Sequence, residues 1–325
     1  MERTLFCKGF TWGFFSKAGE LLLPEAEASL RRLASNGLDW VCIPVNGWQE
    51  TWHSLHVFSL YGRTQTDDEL RHVIRLAHSL GLKVCLKPMV NCLDRVWRAR
   101  IDFPTDDGCR YWEAWFASYE RFLLYYAELA EKNGCEMLCT GCEMGGMDKQ
   151  ADFCRRLIGK VRGVYHGLLM HNVNHGDELR PQWLSAVDVI GISAYYPVTD
   201  PDHRGREAMR ESWRQVLPRL EACHQKYGRP VMFAEIGVRS EQGCTMYPWD
   251  FHNRPEKPRD EQEQADFYDT AMEVTWDLPW FCGYFWWDWR AVLPPESEMA
   301  ADRDFAVYGK KAELVLRRWY REEPC

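Results

Sequence analysis

Two glutamates in this sequence sit where a folded chain would put them to chemical use. Glu143 comes two residues after the apolar run Met137–Gly141, and Glu235 directly follows Val231–Ala234. A carboxylate at the end of a buried strand most often caps a helix or pairs with a cation. Two such carboxylates on one face, flanked by glycines and aromatics, suit a division of labour in which one stays protonated as acid and the other ionised as nucleophile. That is the pair a glycosidase uses, and the distance between its members decides the stereochemistry.

Other polar and aromatic residues fall at the ends of predicted strands: Trp12, Asn46, Trp48, Lys87, His171, Asn172, Asn174, Tyr195, Tyr196, and Trp286 with Trp287 in the quartet Trp286–Trp289. Indole faces stack on sugar rings, while amide, imidazole and ammonium groups hold hydroxyls. Alternation along a strand allows only every second member of that quartet to reach a ligand. Competing chemistries find little support. Cys135, Cys139 and Cys142 lack a second cysteine pair for zinc, and alternation would put Cys139 and Cys142 on opposite faces. His166, His171 and His175 have no zinc spacing, no cysteine–histidine pair stands out, and there is no Gly-x-Ser-x-Gly elbow.

Eight apolar runs alternate with amphipathic stretches and must supply those strand ends. Strands are predicted over Phe6–Trp12, Trp40–Val45, Lys83–Pro88, Met137–Gly141, Leu168–His171, Asp188–Ser193, Val231–Ala234 and Phe281–Trp286. Helices are predicted at Pro24–Ser35, Asp67–Ser79, Trp112–Glu131, Gln150–Tyr165, Glu207–Tyr227, Asp260–Thr275 and Lys310–Tyr320, with a short helical segment around Arg180–Ala186. In the second of these helices, Leu70, Val73, Ile74 and Ala77 recur at helical spacing, Asp67 can cap the start and Gly81 follows the end. Near-continuous apolar strands between helices mean a parallel sheet buried on both faces. Eight units within 325 residues favour one α/β domain over residues 1–325, a closed (β/α)8 TIM barrel, over an open doubly wound sheet. Lys8–Gly13 also lacks the glycine spacing of a dinucleotide-binding turn, which argues against an oxidoreductase. Three long connections, Gln49–Thr66, Asn91–Arg110 and Arg239–Glu263, leave the same face and can wall a cleft, closing one end if cleavage is confined to chain ends.

The composition fits such an enzyme. Hydrophobic residues make up 46% and charged residues 27%, which excludes a disordered chain, a collagen and a coiled-coil rod. A formal charge of -8 leaves no basic footprint for nucleic acid. No apolar run is long enough to span a membrane, and no secretory leader is evident at the start. Thirteen cysteines without a repeated framework point to a reducing cytoplasm.

Several segments together resemble family 113 of the glycoside hydrolases, known for β-mannan-degrading enzymes within a large clan of retaining (β/α)8 glycosidases. They are Lys8–Thr11, Asn36–Val41, Ala77–Lys83, Leu86–Pro88, Trp112–Tyr119, Gly191–Pro197 and Glu235–Ser240. The resemblance implies Glu143 as acid/base, Glu235 as nucleophile, Tyr195 or Tyr196 orienting the nucleophile by its hydroxyl, and no cofactor. It implies a β-linked, mannose-configured oligosaccharide as substrate. Two departures bear on the sugar. Cys142 stands where many clan members have Asn, and His171–His175 is unusually rich in imidazole and amide. Another β-linked sugar, including an amino sugar, and a binding barrel without catalysis are the other readings.

Overall fold

The computed structural model describes residues 5–105, 110–252, 254 and 256–321. Residues 106–109 of the second long connection named above that leaves a strand end after position 90, and 253 and 255 of the third, lie outside the described residues. Eight strands, β1 (Cys7–Trp12), β2 (Trp40–Gln49), β3 (Lys83–Cys92), β4 (Met137–Cys142), β5 (Leu168–Asn174), β6 (Val189–Ser193), β7 (Val231–Ile236) and β8 (Phe281–Trp289), close in sequence order into a barrel. Every neighbouring pair is parallel, including β8 with β1. Around it run α1 (Pro24–Ala34), α2 (Asp67–Ser79), α3 (Tyr111–Lys132), α4 (Gly145–Asp148), α5 (Ala151–Arg162), α6 (Arg206–Tyr227), α7 (Glu261–Thr275), α8 (Glu296–Met299) and α9 (Lys311–Arg321). None of these helices is long and apolar enough to cross a membrane.

Strand alternation sorts the apolar residues into two clusters. One, with Cys42, Cys85, Met137, Cys139, Met170, Met232, Ala234 and Phe285, fills the barrel. The other, with Val41, Ile43, Val84, Leu86, Leu169, Val231 and Phe233, packs against the helices. Two of the helices begin at side-chain caps. Thr66 rather than Asp67 caps α2, its side chain accepting from Glu69 N while Glu69 reaches back to Thr66 N. Asp260 accepts from the amides of Gln262 and Glu263 to start α7.

The strands outrun their apolar cores at one end. β2 and β3 stay in register through Asn46↔Met89 and Trp48↔Asn91, and β5 continues to Asn174, paired with Ser193. Polar residues that read as loop starts are therefore held by sheet hydrogen bonds, which fixes their directions better than a loop would.

Candidate active site

Breaks in alternation aim the two glutamates. The register shifts between Cys139 and Cys142 where β4 meets β5, and Glu143 has φ 57, left-handed for a non-glycine residue. Its own N–H donates to Asn172 O at 2.8 Å, which fixes that turn. A second shift, between Ile192 and Ser193 where β6 meets β7, pairs Ser193 with Glu235 and turns Glu235 into the barrel one residue after Ala234. Cys139 and Cys142 consequently both face inward, against strict alternation.

Glu143, Glu235 and Cys142 each bring a side-chain atom within 4.8 Å of the others, and all three are buried. Glu235 Oε1 accepts from Lys87 Nζ at 2.6 Å and from the Cys142 thiol at 3.2 Å, and its Oε2 accepts from the Tyr195 hydroxyl at 3.3 Å. Burial pushes the Glu235 carboxyl up, but the Lys87 charge and hydrogen bond, with Arg98 and Cys142, outweigh it and hold it below the usual range. Lys87 remains an ammonium: burial opposes its charge, and the Glu235 carboxylate beside it more than reverses that. Burial, and then the charge of Glu235, keep Cys142 a thiol.

Glu143 has a separate set of donors. Its Oε2 accepts from Trp97 Nε1 at 3.0 Å and from Arg98 at 2.9 Å. Arg98 is braced by Nε donating to Val90 O at 2.8 Å and by its other nitrogen donating to Asn91 Oδ1 at 2.6 Å. Asn91 in turn donates to Asn46 Oδ1 at 2.9 Å, and Asn46 donates to Phe14 O at 3.0 Å. Behind this run, the turn Arg98–Arg100 and Ile101 press on α4, where a Cβ added to Gly146 would sit 1.9 Å from Ile101 O.

Tyr195, Trp287 and Phe305 form a small aromatic cluster, with Phe14 and Trp287 ring centroids 4.6 Å apart. Asn172 is wholly buried, donating to Cys142 Sγ at 3.1 Å and to Ser193 Oγ at 3.2 Å, so it supports the thiol from below. Asn174 is buried at the end of β5, and Trp48 is half-buried with Arg63 over its ring at 5.3 Å.

Other residues expected to bind substrate face elsewhere. Trp12 is fully buried and donates to Ser29 Oγ on α1 at 3.2 Å. His171 lies between Thr140 and Asp148, 2.8 Å from the latter's Oδ1, with its ring against Trp183. Trp286 stacks on Tyr268 at 4.0 Å and donates to the Tyr320 hydroxyl. Tyr196 donates to Glu178 and packs on Trp213. All four point into the helical layer; for Trp12, His171 and Trp286 alternation along the strand, not position at its end, sets the facing, and Tyr196 follows the end of β6. Lys87 is in the site but wholly buried beneath Glu235, so its ammonium meets the carboxylate and not a sugar hydroxyl.

Trp97, Arg98 and Asn91 escaped the sequence reading. The only signal available was that Asn91–Arg110 leaves a strand end; nothing in its composition ranked one arginine above the rest. His175, with Trp249 stacked on it at 5.7 Å, also lies close enough to feel the charge of Glu143.

The cysteine and two glutamates have the donor types of a metal site. Lys87 and Arg98 already set two positive charges against the two carboxylates, however, and a protonated thiol is a poor ligand, so the set does not fit a divalent cation.

Two carboxylates with different donors, at the mouth of a (β/α)8 barrel, can serve as a proton donor and a nucleophile for one substrate. Comparison with known proteins agrees. No curated protein matches the chain, but the profile described as Glycoside Hydrolase Family 113 matches residues 10–310. A solved GH113 β-1,4-mannanase complex is 36% identical, with TM-score 0.91, covering 98% of this chain and 100% of that one. A GH113 β-mannanase from Alicyclobacillus acidocaldarius, solved with ManMIm, is 37% identical, with TM-score 0.89 and 97% of each chain covered. A β-glucuronidase from Faecalibacterium prausnitzii, at 15% identity and TM-score 0.62, covers 98% of this chain and 49% of its own, and shares the fold. The chain belongs to glycoside hydrolase family 113.

Proposed function

We propose that this protein, a single catalytic barrel domain, hydrolyses β-1,4-mannosidic linkages of mannan or manno-oligosaccharides with retention of configuration. The observation that carries the reading is the approach of Glu143 and Glu235 within 4.8 Å. Retaining enzymes hold their carboxyl groups about 5–5.5 Å apart, whereas inverting ones leave room for water at about 6.5–9.5 Å. Two of the similar structures are GH113 β-1,4-mannanases, which supports the choice of sugar.

Glu235, ionised and held by Lys87, attacks the anomeric carbon as the bond to the leaving oxygen breaks. Glu143 gives that oxygen a proton from Oε1, since Trp97 and Arg98 occupy Oε2. Glu143 then takes a proton from water, the water oxygen bonds to the anomeric carbon, and the electron pair of the ester bond returns to Glu235. Trp287 offers a face for the sugar ring.

We place the enzyme in the cytoplasm, acting on short imported oligosaccharides, because all the described cysteines are free and buried thiols. The test is turnover of mannohexaose followed by product NMR. The reading requires β-configured first products, loss of turnover in Glu235→Gln, and recovery of Glu143→Ala by azide. An α-configured first product or near-normal rates in Glu235→Gln would sink it. Mannose alone at early times would mean attack from chain ends, and mixed oligomers attack within chains.

A further inference from the structure

Lys87 is placed to act on the nucleophile and on nothing the substrate brings. Its side chain is 0% exposed, Nζ sits 2.6 Å from Glu235 Oε1, and its other hydrogen bond is to the Ala234 carbonyl at 3.4 Å. Among the described residues, Glu235 is the one carboxylate paired with it. The strength of that pair changes during the reaction. While Glu235 is ionised, a buried ammonium and carboxylate neutralise each other. Once Glu235 is esterified to the sugar it carries no charge, and the ammonium is left buried without a counter-ion, which is strongly unfavourable. The Cys142 thiol, a weak neutral donor to the same oxygen, acts in the same direction with less force.

We propose that Lys87 is a positioning residue that biases the double displacement toward its second half. By favouring the ionised state of Glu235 it slows formation of the ester and speeds its breakdown, so the glycosyl-enzyme does not accumulate. This rests on the reading of Glu235 as the nucleophile. Lys87 makes or breaks no bond; the electron pair released as the ester C–O bond opens returns to Glu235, whose charge Lys87 then meets. A charge-assisted hydrogen bond of this kind changes the partition by roughly tenfold to a hundredfold.

The experiment is rapid mixing with a 2,4-dinitrophenyl β-mannobioside, whose leaving group needs no proton, alongside intact-protein mass spectrometry during turnover. The wild type releases dinitrophenolate linearly from the start and carries little bound sugar. Lys87→Met shows a burst approaching one equivalent, then a slower phase with kcat and KM lowered together, and carries sugar at steady state. Lys87→Arg restores linear release. A burst in the wild type, or a Lys87→Met enzyme that slows without burst or bound sugar, overturns the proposal. If Lys87→Met does not fold, Cys142→Ala takes its place: bound sugar a few-fold above wild type supports the bias, and no rise overturns it. Sugar mapped to a residue other than Glu235 would instead sink the assignment of the nucleophile, which separates the two failures.

Discussion

Tyr195 and Tyr196 are neighbours of the same type, and the fold gives them opposite duties, so phenylalanine at each should separate activity from stability. The Tyr195 hydroxyl donates to Glu235 Oε2 at 3.3 Å. A hydrogen bond to a charged group contributes about 1.5–3 kcal/mol. This one is longer than the 2.5–2.7 Å typical of a hydroxyl on a carboxylate, and Glu235 keeps Lys87 and Cys142, so the low end applies. Tyr195→Phe should therefore lower kcat/KM by about tenfold, and leave the melting temperature nearly unchanged. Tyr196 instead donates to Glu178, which is wholly buried and also accepts from Arg219 at 2.5 Å and Gly176 N at 2.7 Å. Removing that hydroxyl takes one donor from a buried carboxylate, which costs about 1–3 kcal/mol. Tyr196→Phe should melt a few degrees lower while keeping kcat/KM within about twofold. Steady-state kinetics on manno-oligosaccharides and thermal unfolding of both variants decide the matter. Equal losses of activity in the two, or none in Tyr195→Phe, would refute the assignment of the nucleophile's partner.

Arg98→Met removes the cation from Glu143 and frees the loop that carries Trp97, so kcat/KM should fall about tenfold to a hundredfold with circular dichroism unchanged. Because Glu235 titrates below its ordinary value of 4.5, the acid limb of kcat/KM should lie below that pH. The Glu235–Lys87 pair likewise stabilises the fold fully above about pH 4.5 and loses this contribution as pH falls through the depressed folded value, which urea midpoints against pH would record. Asp288 behaves the opposite way: burial, and then Asp304, raise its carboxyl from 3.8 to about 7 against the pull of Arg290. The folded state then holds a proton the unfolded chain lacks, so stability declines from about pH 3.8 to about pH 7 and levels off above. Asp288→Asn should flatten that decline, and an unchanged slope in urea titrations would contradict it.

The rhythm of apolar runs was enough to read the eight strands, their order and the barrel, since a parallel sheet buried on both faces leaves a plain pattern. The positions of Glu143 and Glu235 followed from the strand ends. Facing was harder. Strict alternation is broken at Cys142, at Glu235 and between Trp286 and Trp289, and bulges leave no mark in residue type. Trp12, His171, Trp286 and Tyr196 were grouped with the substrate pocket because they end strands, yet each turns its side chain to the helices, where indole, imidazole and hydroxyl find partners in Ser29, Asp148, Tyr320 and Glu178. Arg98 was out of reach for another reason: its importance comes from a fold-specific meeting of a loop with β4, between positions 45 residues apart.

The close fit of Gly146 beneath Ile101 carries a lesson for anyone reshaping this enzyme. A methyl group there would lift the strip of backbone that brings the indole and guanidinium to their carboxylate, from a buried spot behind that carboxylate. Mutant libraries confined to pocket walls would leave that lever unsampled, and alanine at this one bare position is the smallest change that would pull it.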